Sequence, residues 1–365
     1  MAESQNQERI LNMRIAFYYE STTDTGGVNR VVTLIASGLV RRGYEVHLIG
    51  RYKSKTSLYD IAPGVVIHEL YPEYISKYKT FFSEYRKLRR IVRENRIDVL
   101  ISAGGPFFLI ARWIKGVRHF EWDHVSAWHG DKLMNLGRRW AARLAEKIIV
   151  LTDDNRNAFQ QIKGCRADVV RIYNPRSYSL VSMSSSQKEN LVLAIGYIGV
   201  QKGYDLLLQA WEKIPLDLQK EWKLLIVGED RTHLLAGLQQ YVDKNGLQNV
   251  EFSPFRTDVP ELMQRAKIYV NSSRWEGLPM VMLEAQAFGL PIIAFDCKTG
   301  PRDIVLPDTG ILVAPEDITG FAEALERMMR DTNLQKSCAA RALESSKRFD
   351  LQTILDQWEK VLQNR

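Results

Sequence analysis

The sequence predicts an α/β protein built from two doubly wound parallel-sheet domains. Three observations carry this reading. Short apolar runs alternate with stretches of helical period along most of the chain, which is the pattern of βαβ units. Asn174-Pro175 breaks that pattern, and a Ser-rich polar stretch, Ser177 to Asn190, follows it. A second alternating series begins at Leu191. The 365 residues suit two domains of ordinary size. The expected division is a first domain over 13–175, a linker over 176–190 and a second domain over 191–349.

In the first half, Arg14 to Glu20 reads as a strand, and Ser21 to Gly27 as a loop. Val28, Val31, Val32, Ile35 and Leu39 then mark one face of a helix that Gly43 closes. Tyr44 to Gly50 is the next strand. Gly26-Gly27 stands at the start of the helix, where the backbone can approach a phosphate or a sugar closely. Leu70 to Arg96 interleaves Tyr and Phe with Lys and Arg, and its second half predicts a helix with Phe81, Tyr85, Leu88 and Val92 on one face. This is either a surface helix with solvated charges or an interfacial patch for acidic lipid headgroups. Asp98 to Ser102, Lys147 to Thr152 and Asp168 to Tyr173 are further strands. Between them, His119 to Asp131 gathers His119, His124 and His129 with Asp123 and Asp131. The spacing of the three histidines gives no compact metal-ligand set, and no H-E-x-x-H occurs.

The second half reads as strands at Leu191–Gly196, Lys223–Val227, Val250–Ser253, Lys267–Asn271, Pro291–Phe295 and Gly310–Val313, with helical stretches between. Ligands in such folds collect at the carboxyl ends of the strands. After the strand at Ile268-Tyr269-Val270, Ser272 to Gly277 predicts a loop, and Pro279 suits the first position of a helix. Glu276 then sits on the loop and Glu284 about a turn and a half into the helix. Free N–H groups and the positive end of the helix dipole between them favour an anion.

Composition narrows the classes. The chain is 45% hydrophobic and 25% charged, as globular proteins are. Cys165, Cys297 and Cys338 have no paired spacing, which argues against a disulfide frame or a zinc site and fits a reducing cytoplasm. The most apolar stretch, Val99 to Ala111, contains Gly104-Gly105-Pro106 and ends at Arg112, so it does not read as a membrane span. Met1 to Asn12 is polar and does not read as a signal peptide, and Met13 suits an alternative start. The net charge of +7 is uneven: residues 1–175 carry 28 Lys and Arg against 18 Asp and Glu, the rest 22 against 25. A basic half suits an anionic partner. No nucleic-acid recognition motif accompanies it. Neither half carries G-x-G-x-x-G, which leaves a dehydrogenase the least supported class.

Glu276, seven residues, then Glu284, with Gly277 and Pro279 inside, resembles the signature of the retaining nucleotide-sugar glycosyltransferases of family 4. The resemblance runs from Met13 to about Trp358. It implies the GT-B architecture, two facing Rossmann-like domains with a cleft between them, and a final helix, about 350–365, that returns to the first domain. It implies that Gly26 and Gly27 face the donor diphosphate and sugar, and that His124 sits beside the donor sugar. His129 and Asp131 become acceptor contacts. Lys202-Gly203 matches the family's Lys-Gly on the diphosphate. Tyr197 stands where Arg is usual, and a phenol cannot neutralise a phosphate as a guanidinium does; Arg256 and Arg302 are candidate replacements. Glu284 would hold the ribose, Glu276 the sugar hydroxyls, and the amides around Gly277, Leu278, Met280 and Val281 the diphosphate.

Asp296 to Asp303 resembles the segment of members that use UDP-hexoses or UDP-N-acetylhexosamines. The implied reaction is transfer of such a sugar to a glycan or lipid-linked acceptor, with retention. Absence of Asp-x-Asp implies no bridging metal, and no cofactor is expected beyond the co-substrate. A cytoplasmic enzyme is expected, with peripheral contact to an anionic membrane through 70–96, and no nucleic-acid partner. A nucleotide-sugar epimerase of the same architecture, or a nucleotide-sugar-binding protein without turnover, remains an alternative.

Overall fold

The computed structural model describes residues 13–23, 26–53, 59–76, 80–181 and 188–364. The chain divides into two compact units, Met1–Pro175 with Leu351–Arg365, and Arg176–Asp350. Of the segments singled out above, Met1 to Asn12, Lys77, Tyr78, Lys79 and residues 182–187 lie outside the described residues.

In the first unit, β1 (Arg14–Ser21), β2 (Glu45–Tyr52), β3 (Val66–Tyr71), β4 (Val99–Ser102), β5 (Arg118–Asp123), β6 (Lys147–Val150) and β7 (Asp168–Arg171) form one sheet. Their order is β3-β2-β1-β4-β5-β6-β7, and every pairing is parallel. Parallel pairing requires crossovers, and helices Gly27–Arg41, Phe81–Glu94, Gly105–Ala111, Lys132–Leu144 and Asp153–Gln160 supply five of the six. The central strands β1 and β2 are buried along most of their length, as a parallel sheet covered on both faces requires.

Helix Leu351–Gln363 completes this unit. It lies so close to helix Gly27–Arg41 that a Cβ on Gly38 would stand 2.5 Å from the Leu355 side chain. Trp358 is fully buried, its ring 4.7 Å from that of Trp122 and 5.9 Å from that of Phe17. Arg42 pairs with Asp356 at 2.7 Å and with Glu359.

Two strands were not evident in the sequence. β3 is an edge strand whose first two positions, Val66 and Ile67, are exposed. β5 carries Arg118, Glu121 and Asp123, charges that hide its strand character. The helix at Phe81–Glu94 also differs from the expected face. It buries Glu84, Leu88 and Val92, while Phe81 is exposed. The reason is polar: Glu84 accepts from Arg51 Nε at 2.8 Å, from Thr80 at 3.0 Å and from the Tyr18 hydroxyl, all buried. Burial, with Glu84 next, raises the Tyr18 hydroxyl pKa well above its ordinary value.

In the second unit, β8 (Leu191–Ile195), β9 (Lys223–Val227), β10 (Val250–Ser253), β11 (Ile268–Asn271), β12 (Ile292–Phe295) and β13 (Gly310–Val313) form a parallel sheet ordered β10-β9-β8-β11-β12-β13. A core of Leu207, Trp211, Leu224, Ile226, Phe321 and Leu325 packs on one face. Pro279 is the residue before helix Met280–Ala287, not its first residue, because its ψ of 108° is extended. The expected linker also differs where it is described. Arg176 donates to Phe349 O, Val181 to Ala287 O and Glu189 to Arg265 O, so these residues hydrogen-bond to the second unit. Backbone groups that would otherwise be buried unpaired require such partners.

Replacing Trp358 with Ala removes the side chain that packs against Trp122 and Phe17, and is expected to destabilise the protein by about 3–5 kcal/mol. Urea unfolding followed by near-ultraviolet circular dichroism measures the loss.

Candidate active site

In the second sheet, β8, β9 and β10 succeed one another in one direction and β11, β12 and β13 in the other. The winding therefore reverses between β8 and β11, and the loops leaving their carboxyl ends diverge to leave a crevice where ligands bind. The loop after β8 carries Lys202 at the end of a short 3-10 turn, Val200–Lys202. The loop after β11 carries Glu276. Gly203 joins the two: it has φ of 62°, and a Cβ there would meet the Ser272 carbonyl oxygen at 2.1 Å. Only glycine permits both the conformation and the approach.

Lys202 Nζ lies 2.7 Å from Glu276 Oε1, and the Ser273 hydroxyl donates to the same oxygen at 2.6 Å. Glu276 is buried. Around the pair, Ser272 Oγ donates to Lys202 O at 2.8 Å, Gln201 Nε2 to Trp275 O at 2.9 Å, and the Arg274 amide to Gln201 O at 2.8 Å. Thr299, buried with a φ of 68°, donates its hydroxyl to Glu276 O. Gly300 lies against this loop, since a Cβ there would be 2.8 Å from Gly277 O. Cys297, in the same loop as Thr299, has its thiol pushed up to about 12, by burial first and then by the nearby Glu276 and Asp296 carboxylates.

Helix Met280–Ala287 begins beside this loop, with Met280 and Val281 in its first turn and Leu278 buried ahead of it. Glu284 lies on the same helix and is 1% exposed. A carboxylate so buried, on the helix that follows the Glu276 loop, is suited to accept hydroxyl hydrogen bonds from a ligand. Tyr197 donates its hydroxyl to Gln201 Oε1 at 2.7 Å. Of the two replacement cations considered, Arg256 pairs with Asp258 and Arg302 with Asp296 at 2.9 Å. A third cation is the one beside Tyr197: Arg231, its guanidinium 5.5 Å from the ring centroid and paired with Glu229 at 2.9 Å. The Arg231–Tyr197 proximity has no local sequence signal.

In the first sheet the winding reverses between β1 and β4. Gly26, extended and in open space, precedes helix Gly27–Arg41 at that point, and Gly27 is exposed. Gly104-Gly105 follow β4, and His124 follows β5, at the same edge. The His124 ring lies 4.3 Å from that of Trp122. Its Nε2 is sealed from solvent and has no hydrogen-bond partner among the described residues. Burial lowers its pKa to about 3.

The segment after His124 is clamped from one side. Arg138 reaches Asp123 with two bonds of 2.6 and 2.9 Å and donates to Val125 O, Ser126 O, Ala127 O and His129 O. Asn155, fully buried, accepts from Ala127 N at 2.9 Å and donates to Val125 O at 3.2 Å. Sequence reasoning missed both residues. Their signal is weak, since a lone Arg in a helix normally reads as solvated. Asp131 caps helix Lys132–Leu144, accepting from Met134 N at 2.7 Å, a structural use that competes with its expected acceptor contact. His129 is half-buried, held through its backbone by Ser126 and Arg138. Glu121 is fully buried, and burial, with Asp123 second, raises its pKa well above the usual carboxylate range.

The sequence profile described as Glycosyltransferase Family 4 matches residues 25–177, and that described as Glycosyl transferases group 1 matches residues 182–345. The chain belongs to the family 4 glycosyltransferases. Among its relatives, the amylovoran biosynthesis glycosyltransferase AmsD of Erwinia amylovora is 27% identical over 96% of this chain and 99% of its own length. A Campylobacter jejuni enzyme, GalNAc-alpha-(1->4)-GalNAc-alpha-(1->3)-diNAcBac-PP-undecaprenol alpha-1,4-N-acetyl-D-galactosaminyltransferase, is 26% identical over 96% of this chain and 98% of its own. The crystal structure of Anabaena HepE in complex with UDP and glucose matches with a TM-score of 0.78 at 20% identity, covering 96% of this chain and 99% of that one. The likeness shows the GT-B fold.

In this glycosyltransferase no group of three or more His, Cys, Asp or Glu that could hold a metal ion occurs among the described residues. Nor is any described helix long and apolar enough to cross a membrane.

Arg138→Ala leaves Asp123 buried without its partner, and is expected to destabilise the protein by about 3–5 kcal/mol; thermal or urea unfolding tests it. His124 makes a separate prediction. Its folded pKa of about 3 lies below the ordinary 6.5, so the unfolded chain binds the proton first. Stability tied to His124 is therefore lost as pH falls from about 6.5 toward 3. His124→Gln is expected to flatten the slope of urea midpoint against pH across that window, relative to the unsubstituted protein.

Proposed function

We propose that this glycosyltransferase moves a hexose or N-acetylhexosamine from a UDP-sugar to a glycan or lipid-linked acceptor, with retention at the anomeric carbon and without a metal. The observation that carries the reading is the 2.7 Å pair of Lys202 and Glu276 at the strand-order reversal of the second sheet, with Glu284 buried in the helix that follows.

A diphosphate entering this crevice takes donors from Lys202 and from the amides around Gly277, Leu278, Met280 and Val281. Lys202 then turns from Glu276 to phosphate, and Glu276, still held by Ser273, accepts hydrogen bonds from the sugar hydroxyls. Glu284 accepts from the ribose. The bond between the anomeric carbon and the phosphate oxygen breaks, the diphosphate leaves as an anion, and a bond forms from the anomeric carbon to the acceptor oxygen. The acceptor proton passes to the departing phosphate. Charge developing on the leaving group is stabilised by fixed donors that need little reorganisation. In the first unit, Gly26, Gly27 and His124 stand at the carboxyl edge of that unit's own sheet. His124 is neutral near pH 7, since its pKa is about 3, so it serves as a hydrogen-bonding group and not a cation.

The relatives support the two substrate classes. HepE is recorded with UDP and glucose, and the Campylobacter enzyme acts on an undecaprenol-linked saccharide. The basic, aromatic surface of residues 70–96 would make peripheral contact with an anionic membrane; Tyr74 and Phe82 are 70% and 78% exposed there.

Lys202→Ala is expected to lower the transfer rate about 10²–10³-fold. Glu284→Gln is expected to weaken UDP binding about tenfold while leaving NAD binding undetectable. Titration calorimetry with UDP, UDP-glucose and NAD, followed by transfer assays over an acceptor panel, tests both. Binding of UDP-sugar with no transfer to any acceptor would favour a binding protein, and a changed sugar without acceptor would favour an epimerase.

A further inference from the structure

The loops that leave β8 and β11 are joined by a side chain that the proposed chemistry does not use. Gln201 stands immediately before Lys202, and Trp275 immediately before Glu276. The Gln201 carboxamide spans the two, donating from Nε2 to Trp275 O at 2.9 Å. Its Oε1 accepts from the Tyr197 hydroxyl at 2.7 Å. Only one orientation of the carboxamide satisfies both neighbours. Turned over, it would set its oxygen against the Trp275 carbonyl, with an acceptor facing an acceptor.

Tyr197 is itself held in place. A Cβ on Gly199 would stand 2.4 Å from Cε2 of its ring, so that glycine leaves the ring its space. The Arg231 guanidinium lies 5.5 Å from the ring centroid and is fixed by Glu229 at 2.9 Å. A phenol lodged in this way presents its hydroxyl to Gln201 at little entropic cost. Its proton is committed to the loop and not to a phosphate.

We propose that Tyr197 and Gln201 are positioning residues for the Lys202–Glu276 pair. Tyr197 fixes the carboxamide, and the carboxamide sets the separation of the residues that precede the lysine and the glutamate. The inference rests on the donor-site reading above. On that reading a diphosphate draws Lys202 off Glu276, and the 2.7 Å bond between them is lost. The loops then stay in register through the bonds beside it: Gln201 to Trp275, the Arg274 amide to Gln201 O at 2.8 Å, and Ser272 Oγ to Lys202 O at 2.8 Å. Among these, the Gln201 bridge reaches the residue adjoining Glu276, and Tyr197 orients it. The side chain that stands where the family has arginine therefore acts on the sugar-holding carboxylate through the loop, without touching the leaving group.

The test is a comparison of Tyr197→Phe, Gln201→Met and the double variant. UDP release is followed with UDP-glucose, UDP-galactose and UDP-N-acetylglucosamine over the acceptor panel, and UDP affinity is measured by calorimetry. Tyr197→Phe is expected to lower kcat about fivefold, the worth of one hydrogen bond, with KM for the UDP-sugar and UDP affinity within about twofold. Gln201→Met, which loses both bonds, is expected to lower kcat about tenfold with the same split. The double variant is expected to be no slower than Gln201→Met, because both residues act through one bridge. Tyr197→Phe removes a single oxygen and keeps the test open if Gln201→Met does not fold. Unchanged kcat in Tyr197→Phe, or multiplied losses in the double variant, would overturn the proposal. So would a fall in UDP affinity that matches the fall in kcat and comes with a lowered unfolding midpoint, which is the mark of general loosening. An unsubstituted protein that binds no UDP, or turns over none of the three sugars, removes the donor-site reading and this inference with it; intact UDP binding and turnover with unaffected variants remove this inference alone.

Discussion

The active-site candidate depends on a close approach of backbones. At Gly203 a single added carbon would sit 2.1 Å from the Ser272 carbonyl, and at Gly300 one would sit 2.8 Å from that of Gly277. These contacts draw together the loops that leave β8, β11 and β12. Without them Lys202 and Glu276, far apart in the chain, would not share a hydrogen bond. The sheet explains why the loops meet there: its winding reverses between β8 and β11, and divergent crossovers leave the strand ends uncovered. Thr299, held at a φ of 68°, shows that part of this arrangement is kept in a conformation that side chains disfavour.

The first unit makes different use of buried charge. Asp123 with Arg138 and Glu84 with Arg51 are both sealed from water. Burying such pairs costs much of what their attraction returns, so their value lies less in stability than in fixing geometry. Arg138 bonds to four carbonyls, those of Val125, Ser126, Ala127 and His129, around the turn after His124. Glu121, close to Asp123 and Arg138, has its pKa raised well above the usual carboxylate range, by burial first and then by Asp123. The result is a segment whose shape is set by an arginine, in a place where backbone groups would otherwise have lacked partners.

Much of this was legible in the sequence because the second sheet is made of short apolar runs separated by helical periods. β8 to β13 stand close to where the runs occur. That Lys202 and Glu276 serve one site was an expectation from motif resemblance and from nothing local, and their direct hydrogen bond was not anticipated. β3 and β5 were hidden for physical reasons: one lies at an exposed edge, and the other carries charges whose burial depends on Arg138, fifteen residues beyond Asp123. The helix at Phe81–Glu94 was misread in register because a carboxylate, Glu84, occupies its innermost position. Hydrophobic periodicity cannot anticipate a buried acid whose partners come from β1 and β2. Asp131 and Pro279 show the converse, since both serve the geometry of helix starts.

The helix Leu351–Gln363 is separated from the rest of its unit by the whole of Arg176–Asp350. During synthesis the β-sheet of the first unit emerges from the ribosome long before the segment that covers Phe17 and Trp122. At about 5–20 residues per second, the intervening stretch takes on the order of ten seconds or more to translate. For that interval the nascent chain carries an uncovered aromatic face, and the second unit, which is continuous, can finish first. Order of manufacture and order of completion are therefore reversed in this enzyme, and holdase chaperones have a defined patch to guard.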